Sequence, residues 1–278
     1  VTAPRALGIL AGGGALPGQV AAAAQAAGRP VFIVALEGFA EPAVIGAYPH
    51  AIVRMGAAGR ILDLLRAHSC QDVVMIGRVR RPSLFDLRPD GTGAKLLARI
   101  GRVAFGGDDS LLAAVVKVLG EEGFSVLGTH DILAEALAPA GQLGRHAPDA
   151  EAMSDIARGV AVCRALGTVD VGQGCVVQQG LVLAVEAIEG TDAMLARAGN
   201  HRRGGTGGVL VKLAKPGQER RADLPTIGPT TITNAQAAGL RGIAFEARNA
   251  LLAERDSLVA AADTAGLFIV GIDPATFG

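Results

Sequence analysis

Two stretches concentrate the side chains that could do chemistry. Residues 181–195 read LVLAVEAIEGTDAML and residues 209–229 read VLVKLAKPGQERRADLPTIGP. In the first, Glu186, Glu189 and Asp192 leave an apolar, strand-like run at i, i+3, i+6 spacing. That spacing gathers them if a helix begins near Glu189. Three carboxylates at the end of so apolar a run are costly unless cations answer them. Basic side chains would do so, and so would magnesium, which takes a few carboxylate oxygens together with phosphates and waters. The structural alternative is that Thr191 and Asp192 cap the helix. The second stretch supplies the opposite sign: Lys212 and Lys215, the amide of Gln218, then Arg220 and Arg221, with Asp223 before a Leu-Pro stop. A solvated basic turn would look the same in isolation. Set beside the acidic stretch, it suits hydrolysis of a diphosphate. That reaction needs neutralised phosphates and an acidic group to orient water or metal.

The N-terminal half offers a different signal. The run ALGILA (6–11) stops at Gly12-Gly13-Gly14, LPGQVAAAAQAAG reads as a helix closed by Gly28, and VFIVAL (31–36) reads as a second buried strand. This is the β–glycine turn–α–β unit of doubly wound sheets. Such a turn presents backbone N–H groups to an anion at the helix start. Pro17 stands where the dinucleotide fingerprint GxGxxG has its last glycine, so a nucleotide is favoured and NAD is not established. Glu37, at the end of the second strand, is placed to receive a ribose hydroxyl. The plain alternative is a tight turn beside a solvated glutamate. Arg78, Arg80 and Arg81 (MIGRVRRPSLFDL) follow another buried strand, where a planar guanidinium would bind diphosphate bidentately; exposed loop arginines are the competing reading. GGDDSLL (106–112) reads first as a capped helix start and second as a metal role for Asp108 or Asp109.

These residues need a scaffold, and the alternation continues. Helices are expected near 59–68 and 109–121, and strands at 73–76 and 124–127. Residues 1–133 are therefore read as a Rossmann-like domain. APAGQLGRHAPDA (138–150) has two Pro, two Gly and no periodicity, so 134–148 is read as a linker. Residues 149–278 are read as a distinct mixed α/β domain. It is expected to hold a helix over 149–166 and a hairpin turning at Gln179-Gly180. A helix over 192–198, a strand over 208–214 and a helix over 233–238 follow. IAFEA, a helix over 254–265 and the strand LFIVGI close the chain.

Composition excludes several classes. Lys plus Arg equals Asp plus Glu at 26 each and aromatics are 3%, so no nucleic-acid surface is expected. Cys70, Cys163 and Cys175 form no CxxC pair, which argues against a disulfide framework or structural zinc and for a reducing cytoplasm. The five histidines form no HxH or HExxH pattern, and His130 is the one expected to face a cleft. No apolar run approaches the roughly 18 residues of a membrane span. The N-terminus reads as strand rather than secretory signal, so lipid contact would be peripheral.

Together, LAGGGALP, MIGRVRRP, GDDSLL, VLAVEAIEGTDAML, LVKLAKPGQERRADLPTIGPTT and AGLRGIAFEA resemble the LpxI-type UDP-2,3-diacylglucosamine pyrophosphatases over nearly the whole chain. The resemblance implies Mg²⁺-dependent hydrolysis of UDP-2,3-diacylglucosamine to 2,3-diacylglucosamine 1-phosphate (lipid X) and UMP, in lipid A synthesis. It places the enzyme in the Gram-negative cytoplasm as a homodimer, with peripheral contact at the inner membrane. It also implies an α/β fold with a ligand cleft between a Rossmann-like domain and the C-terminal domain. Carried onto this chain, it makes Asp223, Lys215, Gln218 and Arg220 catalytic. Gly12, Gly13, Gly14, Leu16, Arg78, Arg80, Glu189, Gly190, Thr191 and Lys212 would bind substrate. Asp223, Glu186 and Asp192 would hold the metal. Glu219 stands where the family more usually has aspartate, and the basic residues of RAGNHRRGGTGG (197–208) have no assignment. Two rivals stand beside this reading: a nucleotide-sugar or lipid binding module without turnover, and a dinucleotide oxidoreductase using the glycine turn.

Overall fold

The computed structural model describes residues 4–80, 87–100 and 108–277, the last stretch without the side chains of residues 108 and 109. Arg81 therefore lies outside the described residues, as do the carboxylates of Asp108 and Asp109. The chain divides into two compact units, Val1–Ala134 with Glu219–Asp223, and Glu135–Gln218 with Leu224–Gly278.

The first unit runs β1 (Ala6–Ala11), α1 (Leu16–Ala26), β2 (Val31–Leu36), α2 (Pro42–Ile45), β3 (His50–Val53), α3 (Ala58–Ala67), β4 (Cys70–Ile76), α4 (Gly91–Ile100), α5 (Asp108–Glu121), β5 (Ser125–Leu127) and α6 (Thr129–Ile132). Its five described strands are all parallel, in the order β3-β2-β1-β4-β5. Unbroken apolar runs such as VFIVAL are what a parallel sheet covered on both faces requires, and the first five residues of β2 are all buried. Phe32, Val34, Leu62, Leu65 and Val73 pack in one core on one of those faces. Four of these elements, α2, β3, α4 and α6, lie outside the sequence expectation. Strand β3 is a four-residue strand at the sheet edge with a largely exposed pattern, and α4 opens on Gly-Thr-Gly, a poor helix start.

The second unit runs β6 (Gly141–Leu143), α7 (Ala150–Thr168), β7 (Gly174–Gln178), β8 (Leu181–Val185), α8 (Gly190–Gly199), β9 (Val209–Lys212), β10 (Thr226–Ile227), α9 (Pro229–Ala237), β11 (Gly242–Glu246), β12 (Leu251–Leu252), α10 (Arg255–Ala265) and β13 (Phe268–Ile272). Six strands form a mixed sheet in the order β6-β13-β11-β9-β7-β8. β9, β11 and β13 are mutually parallel, while β6, β7 and β8 each run antiparallel to a neighbour. Strand alternation sends Val176 and Leu210 to the core containing Met194, Leu195 and Phe245, and Cys175, Val177, Val209 and Val211 to the one with Ile156 and Val160 of α7. Each large side chain so buried stabilises the unit by about 1.5–3 kcal/mol relative to exposure. Residues 134–148 are not a structureless connection. They hold a 3-10 turn at Ala134–Ala136 and β6, which pairs with β13 through Leu143 and Ile269; a distant strand supplies the hydrogen bonds that local composition gives no sign of.

The hairpin turns at Gln179 and Gly180, with φ of 54° and 74°. Consecutive left-handed residues are those of the tight turn that matches strand twist. Its N–H groups donate to a buried carboxylate of α7: Gln179 N–H to Asp155 Oδ2 at 3.1 Å and Gly180 N–H to Oδ1 at 2.7 Å. The strand directions bring the ends of β8, β9 and β11 and the start of β7 to one edge of the sheet. Glu186, Lys212, Glu246 and Gly174 gather there.

Candidate active site

At that edge Glu186 and Lys212 are both only 6% exposed. They are joined through a hydroxyl. Lys212 Nζ donates to Thr191 Oγ1 at 2.7 Å, and Thr191 Oγ1 donates to Glu186 Oε1 at 2.7 Å. A threonine hydroxyl has one proton and can accept as well, so this chain runs in one direction from cation to anion. It compensates two buried charges that would each be costly alone. Glu186 Oε2, also buried, has no hydrogen-bond partner among the described residues. It lies against Gly174, where a Cβ would stand 2.6 Å away, and the Glu186 N–H donates to the Gly174 carbonyl at 2.8 Å. Helix α8 begins directly after Glu189, but neither Thr191 nor Asp192 caps it; there is no side-chain cap hydrogen bond. The three carboxylates of the stretch are answered separately. Glu186 has the hydroxyl-bridged lysine, Glu189 is paired with Arg197, and Asp192 Oδ1 accepts from Asn234 Nδ2 at 2.8 Å. Gly190, with φ of 79°, makes the bend between them.

The basic stretch is organised by a turn. Lys215-Pro216-Gly217-Gln218 closes with the Gln218 N–H on the Lys215 carbonyl at 3.1 Å, and Gly217 has φ of 77°. Proline second and a left-handed glycine third is the type II arrangement. Gln218, 7% exposed, folds back on it: Oε1 accepts the Lys215 N–H at 2.9 Å and Nε2 donates to Gln173 Oε1 at 3.3 Å. Lys215 Nζ pairs with Asp170 Oδ1 at 2.6 Å. Glu246 Oε2 accepts the Ala214 N–H at 3.0 Å at the head of the turn. Beyond it, the Ala222 and Asp223 N–H groups both donate to the Glu219 carbonyl at 2.9 Å. Arg221 grips the Glu219 carboxylate bidentately at 2.8 and 2.7 Å. That grip holds the Glu219 carboxyl below its usual range and raises Arg221. Arg220 is exposed and Asp223 half-buried.

The glycine turn of the first unit is differently provided for. The Gly12 N–H donates to Ile76 O at 2.8 Å, the Gly13 N–H to Arg78 O at 2.9 Å, and the Gly14 N–H to Glu41 Oε1 at 2.9 Å. The Arg78 N–H returns a bond to Gly13 O at 2.8 Å, and a Cβ on Gly12 would stand 2.7 Å from Arg78 O. The glycines thus let two loops meet at the switch between β1 and β4, and all three N–H groups read from sequence as an anion cradle donate to protein oxygens. Leu16 opens α1 and is buried, while Arg78 and Arg80 are exposed beyond β4. His130 has a buried Nδ1 with no hydrogen-bond partner among the described residues.

Asp170, Gln173, Asp155, Gln178 and Glu41 hold these segments and carry no sequence signal of their own. Gln178 is read only from its partner, accepting the Arg203 N–H at 2.9 Å and returning a bond to Arg203 O at 3.0 Å. Burial pushes the Cys70 thiol up to about 11. Cys163 is pushed up by its hydrogen bond to Cys175, 3.6 Å away, and by burial, so neither is a ready thiolate. Among the described residues no three His, Cys, Asp or Glu converge on one point. A site for Mg²⁺ needs fewer, since that ion commonly takes one or two carboxylates with substrate phosphates and water. The unpartnered Glu186 Oε2 is a donor of that kind.

Residues 6–136 match the model of the LpxI N-terminal domain and residues 139–270 that of the LpxI C-terminal domain. The chain is 46% identical over 276 residues to the UDP-2,3-diacylglucosamine pyrophosphatase LpxI of Caulobacter vibrioides, covering 97% of this chain and 98% of that one. A solved structure, CobK precorrin-6A reductase, overlays with a TM-score of 0.36 at 12% identity over 97% of this chain and 88% of that one. A likeness that weak carries no argument.

Proposed function

The chain belongs to the LpxI family, and on that premise we propose that it hydrolyses the pyrophosphate bond of UDP-2,3-diacylglucosamine. Water adds its oxygen to the sugar-side phosphorus, the bridging P–O bond breaks, and 2,3-diacylglucosamine 1-phosphate and UMP leave. The observation that carries this reading is the buried Lys212–Thr191–Glu186 chain with its spare carboxylate oxygen, at the sheet edge where parallel strands end. Its support is the 46% identity to a relative of that activity.

Glu186 fits as the holder of Mg²⁺ through Oε2, the single carboxylate that such an ion can take together with substrate phosphates and water. The ion supplies charge neutralisation on the diphosphate when bound. Thr191 and Lys212 fix the carboxylate. Lys215, aimed by Asp170 and by the turn, stabilises negative charge on the phosphates, as do Arg220 and the exposed Arg78 and Arg80. Gln218 acts by holding the turn. Asp223 orients the attacking water and takes its proton. We read the substrate as a lipid-linked nucleotide sugar, met by peripheral contact at a membrane surface, and the protein as a homodimer. No helix among the described residues is long and apolar enough to cross a membrane.

The test is release of UMP from UDP-2,3-diacylglucosamine with and without Mg²⁺, followed by mass spectrometry. Metal-dependent release together with lipid X is the expected result. Substrate that binds and stays intact under every divalent ion would make this a binding module instead.

A further inference from the structure

In open α/β sheets ligands lie beyond the carboxyl ends of the strands. In the first unit the crevice between β1 and β4 is closed by the backbone bonds of Gly13 and Arg78. The same edge opens further along, past the ends of β2 and β3, into a cavity of about 490 Å³ whose lining includes Glu37, Ile52, Arg54, Arg60 and Asp90. Asp90 is spent on the frame. Its Oδ2 accepts the N–H groups of Gly59 at 2.9 Å and Arg60 at 3.3 Å, and its Oδ1 that of Gly93 at 2.6 Å. Its own N–H donates to Gly56 O at 3.1 Å. The N-terminus of α3 is therefore already answered by a protein carboxylate, and the loops before α3 and α4 are tied together.

What is left over faces the cavity. Among the described residues, the guanidinium groups of Arg54 and Arg60 and the carboxylate of Glu37 have no hydrogen-bond or ion-pair partner. Ile52, at the end of β3, is 61% exposed. Two forked cations suit a phosphate. A carboxylate beside them repels a bare anion and rewards a ligand that also brings hydroxyl donors. An uncovered apolar side chain offers a flat base something to lie on. We infer that this cavity binds the nucleoside 5′-phosphate half of the substrate, with the ribose diol on Glu37, the phosphate on Arg54 and Arg60, and the base over Ile52. The inference rests on the nucleotide-sugar reading above and moves its nucleotide contact from the glycine turn to the β2–β3 end of the sheet.

The experiment is calorimetric titration of the full chain with UMP, 2′-deoxyuridine 5′-phosphate and orthophosphate, alongside steady-state hydrolysis. The double variant Arg54→Ala, Arg60→Ala is expected to bind UMP at least tenfold more weakly and to raise KM while kcat holds. Glu37→Gln is expected to erase the preference for UMP over its 2′-deoxy form. Should the double variant lose its fold, Arg60→Lys, which keeps charge but not the fork, reads the same contact. UMP affinity within twofold of wild type in these variants would overturn the inference, and so would orthophosphate binding as tightly as UMP. Those results with hydrolysis intact would remove the cavity alone. A wild-type protein that neither binds nor cleaves the nucleotide sugar would remove the functional reading and the cavity with it.

Discussion

The glycine turn of the first unit and the Glu186 edge of the second are both places where the chain gathers groups suited to phosphate chemistry, and they end in opposite states. At the turn, the three N–H groups of Gly12, Gly13 and Gly14 donate to Ile76, Arg78 and Glu41. At the edge, two buried charges are joined through Thr191 and one carboxylate oxygen remains unspent. A motif says where the backbone turns and which groups arrive. Which of them stay available is decided by partners that arrive from elsewhere in the chain.

Several substitutions would break or sharpen that contrast. Asp223→Ala is expected to lower turnover by about 10²–10⁴-fold, the range for a group that handles a proton, with the melting temperature held. Near-wild-type turnover would take Asp223 out of the reaction. Lys212→Met leaves Glu186 and Thr191 without their cation, and removing one partner of a buried pair costs about 3–5 kcal/mol. Denaturant unfolding would show that loss, and an unchanged midpoint would mean that Lys212 does not compensate Glu186. Gly12→Ala drives a Cβ to 2.7 Å from Arg78 O, an overpacking expected to cost about 1–3 kcal/mol. Loss of substrate affinity without loss of stability would instead make the turn a ligand cradle and erase the contrast. Glu41→Ala frees the Gly14 N–H at a cost of about 0.5–1.5 kcal/mol, and UMP affinity is expected not to change.

The smallest effect is expected from pH. Arg221 holds the folded-state pKa of Glu219 below its ordinary value. Its contribution is therefore present above the ordinary carboxylate range and is lost as pH falls through the depressed value. Glu219→Gln should lower the melting temperature slightly at neutral pH and converge on the wild type as pH falls through the acid range; a difference that stays the same at every pH would contradict this.

Much of the fold was legible where structure is local. Strand, glycines, helix, Gly28 and VFIVAL follow one another within 36 residues, and the hairpin at Gln179-Gly180 announces itself by residue type. Strand β3 escaped because HAIV is short and mostly exposed, and β6 because its pairing partner lies more than 120 residues away. The site divides in the same way. Glu186, Thr191 and Lys212 stand out by charge and apolar context, and the structure joins their side chains. Asp170 does not stand out, since nothing near residue 170 announces a lysine 45 positions on. The spending of the glycine N–H groups was illegible too, because it takes Glu41, 27 residues away, to accept from Gly14.

The carboxylate of Asp155 ties two elements to one fate. Its oxygens hold both N–H groups at the tip of the β7–β8 hairpin from the second turn of α7, so the tip cannot keep those bonds once the helix lifts away. The amides of Gln179 and Gly180 sit at a solvent-facing bend, where exchange with water is ordinarily fast. Here they should exchange at the rate at which α7 undocks, which makes them native reporters of a cooperative opening unit that joins a helix to a hairpin.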